Sequence, residues 1–144
     1  MARVFHKSIL RNEDPQILAG KAQYLDDIEL PGMVFAAFKR SDYAHARIKS
    51  IDVSEARNLP GVIGVYTAED FGELVKPGPL QVPPPTAIKG ATYVARTLMP
   101  IAKDKVRYSG EPLAVVIAES RYIAEDACDY IYVDMEPLEA VIDL

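Results

Sequence analysis

The alternation of apolar and polar positions divides the chain into short extended segments punctuated by Pro, Gly and Ser. "YLDDIEL" and "PGMVFAAFKRS" read as two strands joined at Pro31-Gly32, a pair suited to a tight turn, with 33–38 apolar enough to be buried on both faces. This predicts a hairpin. Residues 46–53 are extended, Ser54 is placed to cap a short helix through "EARNL", and Pro60-Gly61 ends that helix before a strand at 62–67. The same logic recurs at 106–118, where "VRY" leads through a turn at Ser109-Gly110 into "LAVVIA", an apolar run suited to a buried strand.

Ser120 is the next expected cap. On the helix after it, Ile123, Ala124, Ala127, Cys128 and Ile131 fall on one stripe, with Glu125, Asp126 and Asp129 opposite. Such small residues permit close approach to a sheet. "YVDM" and "EAVID" supply the last extended segments. The pattern predicts an α+β fold with a mixed sheet and two main helices, at about 55–59 and 121–131. Residues 1–23, with Arg3, Lys7, Arg11 and "NEDP", read as a docking arm. The stretch 72–98 holds five of the eleven prolines and reads as a long irregular loop, a form that usually serves a function or a partner.

Composition narrows the function classes. A chain of 144 residues is expected to form a single domain over 1–144 with a real core. Its net charge of -5 argues against a phosphate-tracking nucleic-acid binder. Cys128 is the single cysteine, so no internal disulfide forms, and one thiolate alone holds neither zinc nor an iron-sulphur cluster. No apolar run approaches the ~20 residues of a membrane span, and a cytoplasmic protein is expected.

The polar candidates admit two readings each. Ser41, Asp42 and His45 in "RSDYAHARI" include the residue types of a catalytic triad, but proximity in sequence does not bring such groups together in space. A ring bonded to nearby backbone at a strand entrance is the favoured reading for His45. Cys128, on an apolar stripe, reads as a packed thiol instead of a nucleophile. Glu111 could be an acid of raised pKa, yet a turn-exposed, interface-forming glutamate is favoured, and Gly110 before it is expected to need a positive φ. Lys103, Lys105 and Arg107 alternate; they suit an acidic partner or the protection of a sheet edge equally well.

In order, "RSDYAHARI", "LPGVIGVYTAEDF" and "YSGEPLAVVIAES" resemble the amino-terminal α/β-hammerhead domain of the molybdenum hydroxylase large subunits, the xanthine dehydrogenase, aldehyde oxidase and carbon monoxide dehydrogenase relatives. The likeness runs over most of 11–143; Asp42 stands where proline is common. It implies an oxidoreductase assembly in which electrons pass from molybdopterin through iron-sulphur clusters, usually to FAD. The family's cofactor loops and catalytic glutamate belong to the domains that follow the hammerhead. No catalytic, cofactor-binding or metal-binding residue is therefore expected within 1–144. The expected partners are the molybdopterin-binding domains, the iron-sulphur subunit and the FAD subunit. Arg40, His45, Arg47, Gly110, Glu111 and Pro112 are the candidate contacts. A free-standing binding module and, less favoured, a small enzyme using His45 or Glu111 are the competing readings.

Overall fold

The computed structural model describes residues 11–74, 76, 78–79 and 96–140, and the chain forms two compact units, 1–33 and 34–144. Most of the proline-rich stretch read as a loop lies outside the described residues. Its two ends, β4 (Gly78–Pro79) and β5 (Arg96–Leu98), pair as a short antiparallel ribbon.

In the first unit, α1 (Asp14–Leu18) carries Pro15 in its first turn, where the missing N–H costs nothing. The amides of Lys21 and Ala22 both donate to the Gln16 carbonyl, at 2.9 and 3.2 Å, and fold the chain back. The expected strand over 24–30 does not form. Leu25–Asp27 is a 3-10 turn in which the Asp27 carboxylate accepts the Tyr24 N–H at 2.9 Å, a local bond that competes with strand pairing. The Pro31-Gly32 turn is present, with Gly32 at φ +77° and Met33 N donating to Leu30 O at 3.0 Å. It joins no hairpin.

The second unit is built on β7 (Pro112–Ala118), which lies between β1 (Phe35–Arg40) and β3 (Val62–Thr67) in an antiparallel sheet ordered β1-β7-β3. Proline is tolerated in β7 because it opens the strand. As an edge strand β1 alternates half-buried and exposed residues, where burial of both faces was expected. A second antiparallel sheet is ordered β6-β2-β8, from β6 (Lys105–Val106), β2 (Ala46–Asp52) and β8 (Tyr132–Pro137). The fold class is α+β as expected, with two three-stranded sheets in place of a single mixed one.

Helix α4 (Arg121–Asp129) is capped by Ser120, whose Oγ accepts Ile123 N–H at 3.2 Å. Its stripe Ala124, Ala127 and Cys128, continued by Ile131, packs with Ala114, Val116 and Ala118 of β7, Val65 of β3, and Val53 and Ala56. Each fully buried valine or isoleucine contributes about 1.5–3 kcal/mol, and the alanines set how closely helix and sheet approach. Gly61, at φ +82°, lets the turn before β3 meet α4: a Cβ there would stand 2.7 Å from Ile123 Cδ1. Leu113 belongs to a second cluster with Ala46, Ala102 and Val106, against which Ile48, Val133 and Met135 pack. One strand thus serves the cores of both sheets.

The first helix after β2, α2 (Ser54–Arg57), is shorter than expected, and Ser54 is its first residue instead of its cap. Asp52 does the capping, accepting Ser54 N and Oγ at 2.9 and 2.6 Å. A further short helix, α3 (Ala68–Phe71), is closed by Asp70, whose Oδ2 accepts the Thr67 N–H at 2.6 Å and the Thr67 hydroxyl at 2.9 Å. Arg57 reaches Asp70 Oδ1 at 3.1 Å and donates twice to the Val65 carbonyl. These contacts, the Thr67 amide foremost, hold the Asp70 carboxyl below its ordinary value of 3.8. A carboxyl lowered on folding contributes stability above its unfolded pKa and loses that contribution as pH falls through the folded one. The melting-temperature gap between wild type and Asp70→Asn should therefore hold constant near neutrality and close on acidification below about pH 4. A gap of constant size down to the lowest measurable pH would refute this linkage.

Candidate functional site

Beyond Arg40 the chain bends, because the β1–β7 register shifts between Lys39 and Arg40 and brings Arg40 opposite Pro112. The bend is tied to the 107–111 turn by reciprocal main-chain bonds: Ser41 N donates to Glu111 O at 3.0 Å, and Gly110 N donates to Ser41 O at 2.8 Å. Arg40 Nη1 adds a bond to Gly110 O at 2.9 Å. Gly110 takes φ +88°, the positive value expected of it. Ser41 is buried and turns its hydroxyl inward along its own chain, donating to Tyr43 O and accepting from Tyr43 N, each at 3.0 Å.

Glu111 is not turn-exposed. It is 1% accessible, and its Oε2 accepts the Arg107 N–H at 2.5 Å, with Arg107 Nη1 3.9 Å from Oε1. A buried carboxylate persists only where charge-assisted hydrogen bonds replace water. Here the turn supplies its own main-chain donor, so Glu111 faces inward and locks the loop from within. The i,i+4 pair in "RYSGE" was the available signal for this role.

His45 and Arg47 stand apart, at the start of β2. His45 Nδ1 lies 2.7 Å from the Glu139 carbonyl, which can only accept, so Nδ1 carries the proton. Its Nε2 then presents a lone pair to Lys105 Nζ at 3.3 Å. The His45 carbonyl accepts from Leu138 N at 2.9 Å. The ring is a clasp between β2, β6 and the segment after β8, and with the Ser41 hydroxyl engaged by Tyr43 the two do not form a nucleophile-base pair. Arg47 is exposed, opposite Lys105 on one side and Glu136 on the other. The two groups of candidates are linked through Arg107, which donates to the Lys105 carbonyl at 3.3 Å.

Cys128 donates its thiol to Ala124 O at 3.3 Å, and burial pushes its pKa up. It packs as expected of a structural thiol. Among the described residues no cluster of three His, Cys, Asp or Glu side chains could hold a metal, and no helix is long and apolar enough to cross a membrane. The described donor set does not fit a metal centre.

Residues 19–139 match the family described as "Aldehyde oxidase and xanthine dehydrogenase, a/b hammerhead domain", and the chain belongs to it. It is 42% identical over 140 residues to the nicotine 6-hydroxylase large subunit of Paenarthrobacter nicotinovorans, covering 97% of this chain and 16% of that one. With the carbon monoxide dehydrogenase large chain of Afipia carboxidovorans it shares 43% identity over 133 residues, 92% of this chain and 15% of the relative. Among solved structures, quinoline 2-oxidoreductase from Pseudomonas putida 86 superposes with a TM-score of 0.81 at 40% identity, covering 95% of this chain and 17% of that one. The chain thus spans about one-sixth of the length of the relatives it matches.

Replacing Glu111 by Ala leaves the part-buried Arg107 amide without this acceptor, a loss of about 1–3 kcal/mol, whereas Glu111→Gln keeps an acceptor oxygen and should lose less. Urea unfolding of both variants measures the difference. A Glu111→Ala midpoint equal to wild type would show that the buried carboxylate does not hold the turn.

Proposed function

We propose that this chain serves as the hammerhead domain of a molybdenum hydroxylase large subunit, within an oxidoreductase of the aldehyde-, xanthine- or carbon monoxide-oxidising kind. The observation that carries this reading is the coincidence of about 40% identity with a shared fold over nearly the whole chain, against large chains of which it forms one-sixth. The same likenesses do not favour a free-standing binding module.

In such an enzyme the domain acts in assembly. Molybdopterin, iron-sulphur clusters and FAD would be bound by other polypeptide segments. Arg40, Gly110, Glu111 and Pro112 form a rigid crossing, and His45 and Arg47 line a neighbouring strand. Their role is to hold the loops 40–47 and 107–112 in a fixed shape that the cofactor-bearing polypeptide meets. The compartment of this reading is the cytoplasm.

The direct test mixes the purified chain with the molybdopterin-binding polypeptide of the same enzyme and measures association by sedimentation velocity. A stoichiometric complex is expected. Two folded partners that sediment separately would overturn the reading.

A further inference from the structure

The sheet β1-β7-β3 has two faces, and α4 closes one of them. Residues directly opposite each other on antiparallel strands share a face. Phe38 and Tyr66 both stand opposite Val115, and Ala36 and Gly64 both stand opposite Ile117. These rows lie on the side away from α4, since Ala114, Val116 and Ala118 are the β7 residues that meet the helix. At the centre Val115, 8% exposed, packs with Ala68 and Ile101, with Phe71 and Ile117 against them. At the flanks the two rings stay open, Phe38 at 44% and Tyr66 at 39%.

Both rings are held in place. A Cβ at Gly64 would lie 2.6 to 2.8 Å from the Tyr66 ring and hydroxyl, so the ring lies flat over a position that only glycine leaves clear. It also rests against Phe71, with centroids 6.0 Å apart. The Arg40 guanidinium stands 5.6 Å from the Phe38 centroid. Aromatic and arginine side chains dominate the energetics of interfaces, and rings already fixed have little rotamer freedom left to lose on binding. The outer face of β2 and β8 carries Arg47, Lys49, Asp134 and Glu136 with a single exposed ring, Tyr132, whose hydroxyl donates to Glu55 at 3.2 Å.

We infer that this aromatic face docks the molybdenum-bearing part of a large subunit, with Phe38 and Tyr66 as anchors and Arg40 meeting an acceptor at the rim. The inference rests on the function proposed above. The occupant follows from proportion: in relatives of the same fold this domain is one-sixth of the chain, so the greater part of the polypeptide remains to pack against it. α4 already covers the opposite face. A second copy is disfavoured, because two chains of net charge -5 repel and a twofold contact brings like rims together.

The test uses the wild-type chain and three variants with the molybdopterin-binding polypeptide. Phe38→Asp and Tyr66→Asp should each weaken association about tenfold or more, as expected of interface anchors. Gly64→Ala, which keeps both rings and displaces only that of Tyr66, should weaken it about threefold, a partial loss of preorganisation. In the wild-type complex, hydrogen exchange should slow in 35–40 and 62–67 and stay unchanged in 121–129, a readout independent of whether the aspartate variants fold. Unchanged affinity of the folded variants, or protection confined to α4, would overturn the inference while leaving the proposed function standing. Absence of any wild-type complex would remove the proposed function first and this inference with it. Self-association abolished by Phe38→Asp would assign the face to a second copy and overturn the docking assignment.

Discussion

Everything in the 34–144 unit depends on β7 having two apolar faces and an environment for each. Even-numbered residues Ala114, Val116 and Ala118 meet α4, while Leu113 and Val115 enter two other clusters. A strand buried this way cannot slip by one residue without exchanging the two sets. Its alanines matter as much as its valines, because small side chains on β7 opposite Ala124 and Ala127 fix the helix-to-sheet distance. Other elements are arranged around that constraint: β1 and β3 flank the strand, Gly61 clears the path of Ile123, and Leu113 connects the sheet to its neighbour.

The turn leading into β7 is held as firmly as the strand. Pro112 offers no amide, but its carbonyl accepts Ala102 N at 2.8 Å, and the residue before it carries the buried carboxylate. Glu111 answers a problem of local satisfaction: in the loop between β6 and β7 its carboxylate accepts the part-buried Arg107 amide. Ser41 solves the facing problem with its hydroxyl. Two loops distant in sequence are thereby joined without a hydrophobic cluster of their own.

Local patterns revealed much of this and missed specific parts. The α4 stripe, its Ser120 cap, the β7 run and the positive φ of Gly110 were legible because each depends on residues within a few positions. The 24–30 strand failed because Asp27 captures a nearby amide, an outcome that alternation alone does not encode. Ser54 was displaced as a cap by Asp52 for a similar reason: the carboxylate two residues earlier is the stronger acceptor. The inward turn of Glu111 rests on Arg107 only four residues earlier, a local pair that the turn-prone Ser109-Gly110 pattern hid, whereas the clasp made by His45 depends on a contact with Glu139 across the fold. The aromatic face was illegible for the same cause, since Phe38, Val115 and Tyr66 become one row only when three strands are in register.

A domain of this kind carries its identity in its core and its usefulness on its surface. The core holds β7 between α4 and the second face, and that rigidity is what allows exposed rings and loops to keep their positions. Native-state hydrogen exchange of the isolated chain tests this most directly. The amides of Ala114–Ala118 should exchange only through global unfolding, with protection equal to the full unfolding free energy. Exchange of those amides at lower free energy than the amides of β2 and β8 would contradict the account, because the strand would then open while the remainder stays folded.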